Sequence, residues 1–167
     1  MTQSVELLLD ERLDALVRAE WAALVDAGLP SQARHAGASN APHVTLGVAD
    51  RLLDEEEAAL REIDHRIGSP VVLGGFIVFG GRSYVLSRLV VPTVALLTVH
   101  REVCTAIGAD DGTWTPHVTL ARRRDGDQLA AALSALSGSP RELEGRVADV
   151  RRWDSEQRLS WSVVPQP

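Results

Sequence analysis

The 167-residue chain predicts an α+β fold built from two similar halves. Three observations carry this expectation. The pentapeptide PHVTL occurs twice, at residues 42–46 and 116–120. Around each copy the hydrophobic pattern gives the same order of elements: strand, helix, loop, PHVTL strand, helix, strand. No linker, low-complexity tract or charge block separates the halves. The expectation is one bilobal domain spanning 1–167, with pseudo-repeat halves at about 1–81 and 82–167 and mostly antiparallel pairing.

Each element has a local reason. The stretch at residues 4–9, SVELLL, reads as a short strand. Asp10 can cap a helix over about 11–27, with Leu13, Leu16, Val17, Trp21 and Leu24 at helical spacing and Gly28 and Pro30 ending it. The polar loop SQARHAGASN leads into the first PHVTL strand. Asp54 is expected to cap a second helix, EEEAALREIDHRI, whose acidic first turn suits the helix dipole and which runs to Gly68. Strands come next at about 70–79 and 83–91 around a Gly80-Gly81 turn. Pro92 opens a third helix that stops at Gly108. The loop ADDGTW leads to the second PHVTL strand, then a helix at about 126–137 and strands at about 141–153 and 157–164.

Composition narrows the classes of function. Apolar residues make up 45% of the chain, enough for a real core. No apolar run approaches the roughly 18 to 20 residues that span a bilayer. MTQSVELLLDERLD lacks the basic start of a signal peptide. Cys104 is the sole cysteine, which excludes an internal disulfide and a thiolate cluster and fits a reducing cytoplasm. A net charge of −6 argues against a broad nucleic-acid surface, though a local basic pocket for a small phosphate is compatible with it.

The repeated motif points to chemistry. On a strand, alternate side chains share a face. His43 and Thr45 therefore face one way and Val44 and Leu46 the other; His117 and Thr119 likewise oppose Val118 and Leu120. By the same parity, small Gly47 and Ala121 come next on the polar face and leave room for a ligand. If the lobes pack about a pseudo-twofold axis, two His-x-Thr units meet across a cleft. Two imidazoles suit acid-base work near neutral pH, and two hydroxyls can donate to phosphodiester oxygens. Two such histidines could also supply two zinc ligands, but no carboxylate or cysteine stands at a characteristic spacing to complete a site. The bland alternative is that each histidine is a satisfied structural residue.

With both motifs in view, His43-Val44-Thr45-Leu46 and His117-Val118-Thr119-Leu120, 74 residues apart, the chain resembles the 2H phosphoesterase superfamily. That superfamily includes the bacterial proteins named 2'-5' RNA ligases and the cyclic nucleotide phosphodiesterases. The resemblance covers nearly the whole chain. It implies two lobes, each an antiparallel sheet with helices outside, with the active site in the cleft between them. It implies metal-independent opening of 2',3'-cyclic phosphates or hydrolysis of 2'-5' or related phosphodiesters, with no cofactor. His43 and His117 would be the acid-base pair, and Thr45 and Thr119 would bind the phosphate. Arg122 fits a basic residue that members often carry after the second motif, although plain alternation puts Arg123 on the face of His117 instead.

Other residues carry weaker expectations. Trp114, just before the second motif, is a candidate to stack on a base, with core packing the alternative. Arg34 and His35 lie where they could meet a distal phosphate. His65 is expected to serve the second helix's C-terminus as a cation. His100 and Cys104 read as structural. The expected partner is a small nucleotide or RNA-end phosphodiester, and the protein is expected to be a cytoplasmic monomer. A binding module without turnover and an RNA 2'-5' ligase remain open alternatives.

Overall fold

The computed structural model describes residues 2–35, 37, 39–80, 83–123 and 126–164, with backbone alone for residue 123. The elements run in the order β1 (Gln3–Leu9), α1 (Glu11–Asp26), a 3-10 turn (Gln32–Arg34), β2 (His43–Ala49), α2 (Asp54–Arg61), β3 (Pro70–Phe79), β4 (Tyr84–Val90), α3 (Val94–Ala106), β5 (His117–Arg123), α4 (Gly126–Ala135), β6 (Leu143–Asp154) and β7 (Leu159–Ser162). The fold is α+β, as the alternating periodicities predict. The Gly80-Gly81 turn falls partly outside the described residues, as do Arg124 and the side chain of Arg123.

The strands form one antiparallel sheet in the order β2-β1-β6-β3-β4-β5, with β7 also on β6. The length of β6 makes it continuous. Its Leu143–Arg146 stretch pairs with β3 and its Val147–Asp154 stretch with β1. The order reads the same from either end when β1, β2 and β3 are exchanged for β4, β5 and β6. The two ends, β2 and β5, curve back to within 8 Å of one another between Cα atoms. The core lies between the sheet and the helices: Val44, Leu46, Val118 and Leu120 are buried there with Leu7, Leu13, Val17, Leu24, Val99 and Val103.

Two β-bulges decide what faces the cleft. Val5 pairs with Gly47 and Glu6 with Thr45, so Leu46 is an extra residue on β2. Leu86 pairs with Ala121 and Ser87 with Thr119, so Leu120 is its counterpart on β5. A bulge puts two consecutive residues on one side and inverts the alternation beyond it. Gly47 and Ala121 therefore face the core, not the polar side where simple parity places them. A Cβ on Gly47 would lie 2.9 Å from Ile107 Cδ1, and Ala121 is fully buried. The same inversion returns Arg122 to the face of His117 and Thr119.

Helix ends reflect side-chain chemistry. The Asp10 carboxylate accepts the Leu13 amide at 2.8 Å, and Thr93 Oγ1 accepts that of Leu96 at 3.1 Å. Asp54 is the first helical residue of α2, not its cap. Leu53 holds the cap position, and the Glu56 carboxylate accepts its amide at 2.7 Å. Helix α2 stops at Arg61, well before Gly68. Asp64 Oδ1 accepts the Arg66 amide, a local turn that competes with the helix, and Arg66 adopts φ 55°. His65 is buried and its Nε2–H donates to the Leu60 carbonyl at 2.8 Å. Burial lowers its pKa, so it finishes the helix as a neutral donor rather than a cation.

Candidate active site

Between β2 and β5 lies a cavity of about 160 Å3 whose lining includes His43, Thr45, His117, Thr119 and Arg122. Trp21, Gln32, Asn40 and Ala41 complete it. The two motifs thus meet, although 74 residues separate them in the chain.

Each histidine is oriented in the same way. His43 Nδ1–H donates to the Ala41 carbonyl at 2.7 Å, and His117 Nδ1–H donates to the Thr115 carbonyl at 2.8 Å. A carbonyl can only accept, so Nδ1 carries the hydrogen and Nε2 is the atom left for chemistry. Pro42 and Pro116 stand between each histidine and its carbonyl, in positions that need no amide. Phe79 packs against the His117 ring, with centroids 4.5 Å apart.

The threonines are held through their backbones. β2 and β5 end the sheet path, and edge-strand carbonyls need partners from elsewhere. Trp114 Nε1 donates to the Thr45 carbonyl at 3.2 Å, and Trp21 Nε1 donates to the Thr119 carbonyl at 3.1 Å. Trp114 also stacks on His100, with centroids 4.0 Å apart. It is not among the residues that line the cavity. The indole that does line it is Trp21, which helical spacing alone marks as core.

His100 is buried and its Nδ1–H donates to the Leu46 carbonyl at 2.7 Å, which fixes the bulged segment of β2. Cys104, one turn on, is buried and its thiol pKa is raised by that burial. Among the described residues, no group of three or more His, Cys, Asp or Glu side chains is arranged to hold a metal ion.

The two sides of the cleft differ beneath the threonines. Opposite Thr45 on β1 stands Glu6, only 4% exposed. Its Oε1 lies 3.6 Å from His43 Nε2 and accepts from Ser4 Oγ at 2.9 Å, while Oε2 accepts from Arg151 Nε at 2.9 Å. The matching position on β4, opposite Thr119, is Ser87, fully buried with a hydroxyl that finds no partner among the described residues. Glu6 escapes a motif search. Its signal is an acid inside the apolar run VELLL, on the strand face that the core does not use. Arg34 lies on the exposed surface, whereas His35 borders a second hollow beyond His43.

A sequence profile of the 2'-5' RNA ligase superfamily matches residues 14–158. No curated protein matches the chain. Among solved structures, the MHV ns2 PDE domain aligns with a TM-score of 0.58 at 19% identity, covering 88% of this chain and 92% of that one. E. coli LigT complexed with 3'-AMP aligns at 0.54 and 18%, covering 98% and 97%. Kluyveromyces marxianus Usb1 with uridine monophosphate aligns at 0.52 and 13%, covering 98% of each chain. Because the profile runs through both His-x-Thr strands and most of the residues between and around them, the chain belongs to the 2'-5' RNA ligase superfamily, the 2H phosphoesterases.

Proposed function

We propose that the protein is a metal-independent phosphodiesterase that hydrolyses a 2',3'-cyclic phosphate or a 2'-5' phosphodiester of a nucleotide or RNA end. One observation carries this reading: both histidines, each fixed at Nδ1 by a carbonyl, share one cavity with both threonines and Arg122. In the proposed reaction one neutral imidazole takes a proton from water at Nε2. The other, protonated, delivers a proton to the departing oxygen. The hydroxyls of Thr45 and Thr119 donate to the non-bridging oxygens, and Arg122 offsets the charge that builds on them. No step calls for a metal. Two structural neighbours, LigT complexed with 3'-AMP and Usb1 with uridine monophosphate, fit a small nucleotide as the ligand class.

The same reading takes residues 1–81 and 82–167 as a pseudo-repeat. The symmetric strand order, the matched bulges and the matched indole bonds support it. It also takes the protein as a cytoplasmic monomer. Among the described residues no helix is long and apolar enough to cross a membrane. Steady-state kinetics on 2',3'-cyclic nucleotides tests the mechanism. The expected result is a bell-shaped pH profile that EDTA leaves unchanged. Activity that disappears with EDTA and returns with a divalent metal would contradict it.

A further inference from the structure

Past His43 the cleft opens into a second hollow of about 510 Å3. The space between the two motifs, about 160 Å3, admits little more than a phosphate group. The two hollows share Asn40, Ala41 and His43, so His43 stands at their junction. The floor of the larger one comes from β1 and β6. Glu6 pairs with Arg151 and Ser4 with Trp153, so Arg151 and Trp153 look to the same side of the sheet.

The charges of this hollow are unequal. Arg151 is spent on Glu6, at 2.8 and 2.9 Å, and the two cancel. Arg158 remains as an unspent charge in its lining, to which His35 and Trp153 also contribute. Arg158 sits in the β6–β7 turn at φ 55°, a left-handed conformation that is uncommon for a residue with a side chain. The volume falls in the range of small-molecule sites, and the lining holds an aromatic side chain, Trp153, together with the guanidinium of Arg158. An aromatic face suits a base, and a guanidinium suits a phosphate.

Resting on the reading of the cleft as a phosphodiesterase site, we propose that this hollow is a nucleotide subsite. The nucleoside attached through the oxygen beside His43 passes into it. Trp153 stacks on the base, and Arg158 with His35 holds a second phosphate on that nucleoside. The preferred substrate class is therefore a phosphodiester that carries a further phosphate, rather than a bare nucleoside cyclic phosphate.

The test is calorimetric binding to the full chain carrying His117→Ala, so that neither probe is consumed. The probes are adenosine 2',3'-cyclic phosphate with and without a 5'-phosphate. The 5'-phosphate should tighten binding about tenfold, as one charge-assisted hydrogen bond can. Arg158→Ala, an exposed position, should erase that difference. Trp153→Leu should weaken both probes about tenfold, within the range of base-aromatic stacking. Equal affinity for the two probes, or an Arg158→Ala variant that keeps the preference, overturns the subsite. So does failure of the 5'-phosphorylated probe to bind. The binding readout stands apart from turnover: a protein that hydrolyses nothing yet shows the Arg158-dependent preference would refute the proposed reaction and retain the subsite.

Discussion

At the scale of single residues, the His-x-Thr pairs are readable because strand alternation makes every second residue face one way. The same rule misplaces the residues next along each strand. Parity sends Gly47 and Ala121 to the cleft and Arg122 to the core side. The bulges at Leu46 and Leu120 reverse all three, and nothing in a string of residues announces a bulge. The consequence for Arg122 can be measured. Arg122→Ala should lower kcat/KM by about 10- to 100-fold, in line with the loss of one charge-assisted contact to the transition state, with Lys restoring only part. Wild-type activity in the alanine variant would remove Arg122 from the site. His65 gives a second test, of stability. Burial lowers its folded pKa, so above about pH 6.5 both folded and unfolded forms are neutral and its contribution is complete. As pH falls below that value the unfolded chain takes up a proton that the folded chain resists, and stability drops. His65→Gln should therefore lose less Tm than wild type between about pH 7 and pH 5. Parallel curves would contradict the account.

At the scale of elements, helices α1 and α3 are legible from their apolar spacing, and α1 also from its cap Asp10; Pro92 does not open α3 as expected, since Thr93 caps the helix and Val94 is its first residue. Helix α2 is legible at its start but not at its end, because periodicity cannot see Asp64 folding back on the Arg66 amide or His65 closing on Leu60. The contact that ties helix to sheet is also silent in the sequence. Glu20 on α1 and Arg88 on β4 are 5% and 1% exposed, 68 positions apart. Arg88 donates to the Glu20 carboxylate and to the carbonyls of Gly74 and Pro140 at 2.8 and 2.9 Å, with Phe76 beneath it. An arginine so enclosed depends on its partner. Glu20→Ala should destabilise the protein by about 3 to 5 kcal/mol, the range for stranding one member of a buried pair. Chemical denaturation measures this, and a loss below about 1 kcal/mol would show the pair to be dispensable. This helix also carries Trp21, so the same anchor sets the indole that holds the Thr119 carbonyl.

At the scale of the whole molecule, the order of elements was readable, and the closure that makes a site of it only in outline. PHVTL repeated at matching places in the element order suggests two facing strands. The reason they face is the length of β6, which pairs with both β1 and β3 and so joins all the strands into one sheet whose two ends come together. Strand pairing over such separations leaves no local signature. Substrate choice is hidden for a related reason, since the His43-side hollow is assembled from the loop before β2, from β1 and β6, and from the turn before β7. The central claim is that His43 and His117 act together on one phosphodiester. Its most direct measurement is product analysis, in EDTA, over a panel of 2',3'-cyclic nucleotides and 2'-5'-linked dinucleotides, with wild type beside His43→Ala and His117→Ala. The account predicts wild-type hydrolysis that falls by about 10²- to 10⁴-fold in each variant, the range for loss of a positioned acid or base. Undiminished turnover in either variant, or no turnover by wild type on any member of the panel, would contradict it.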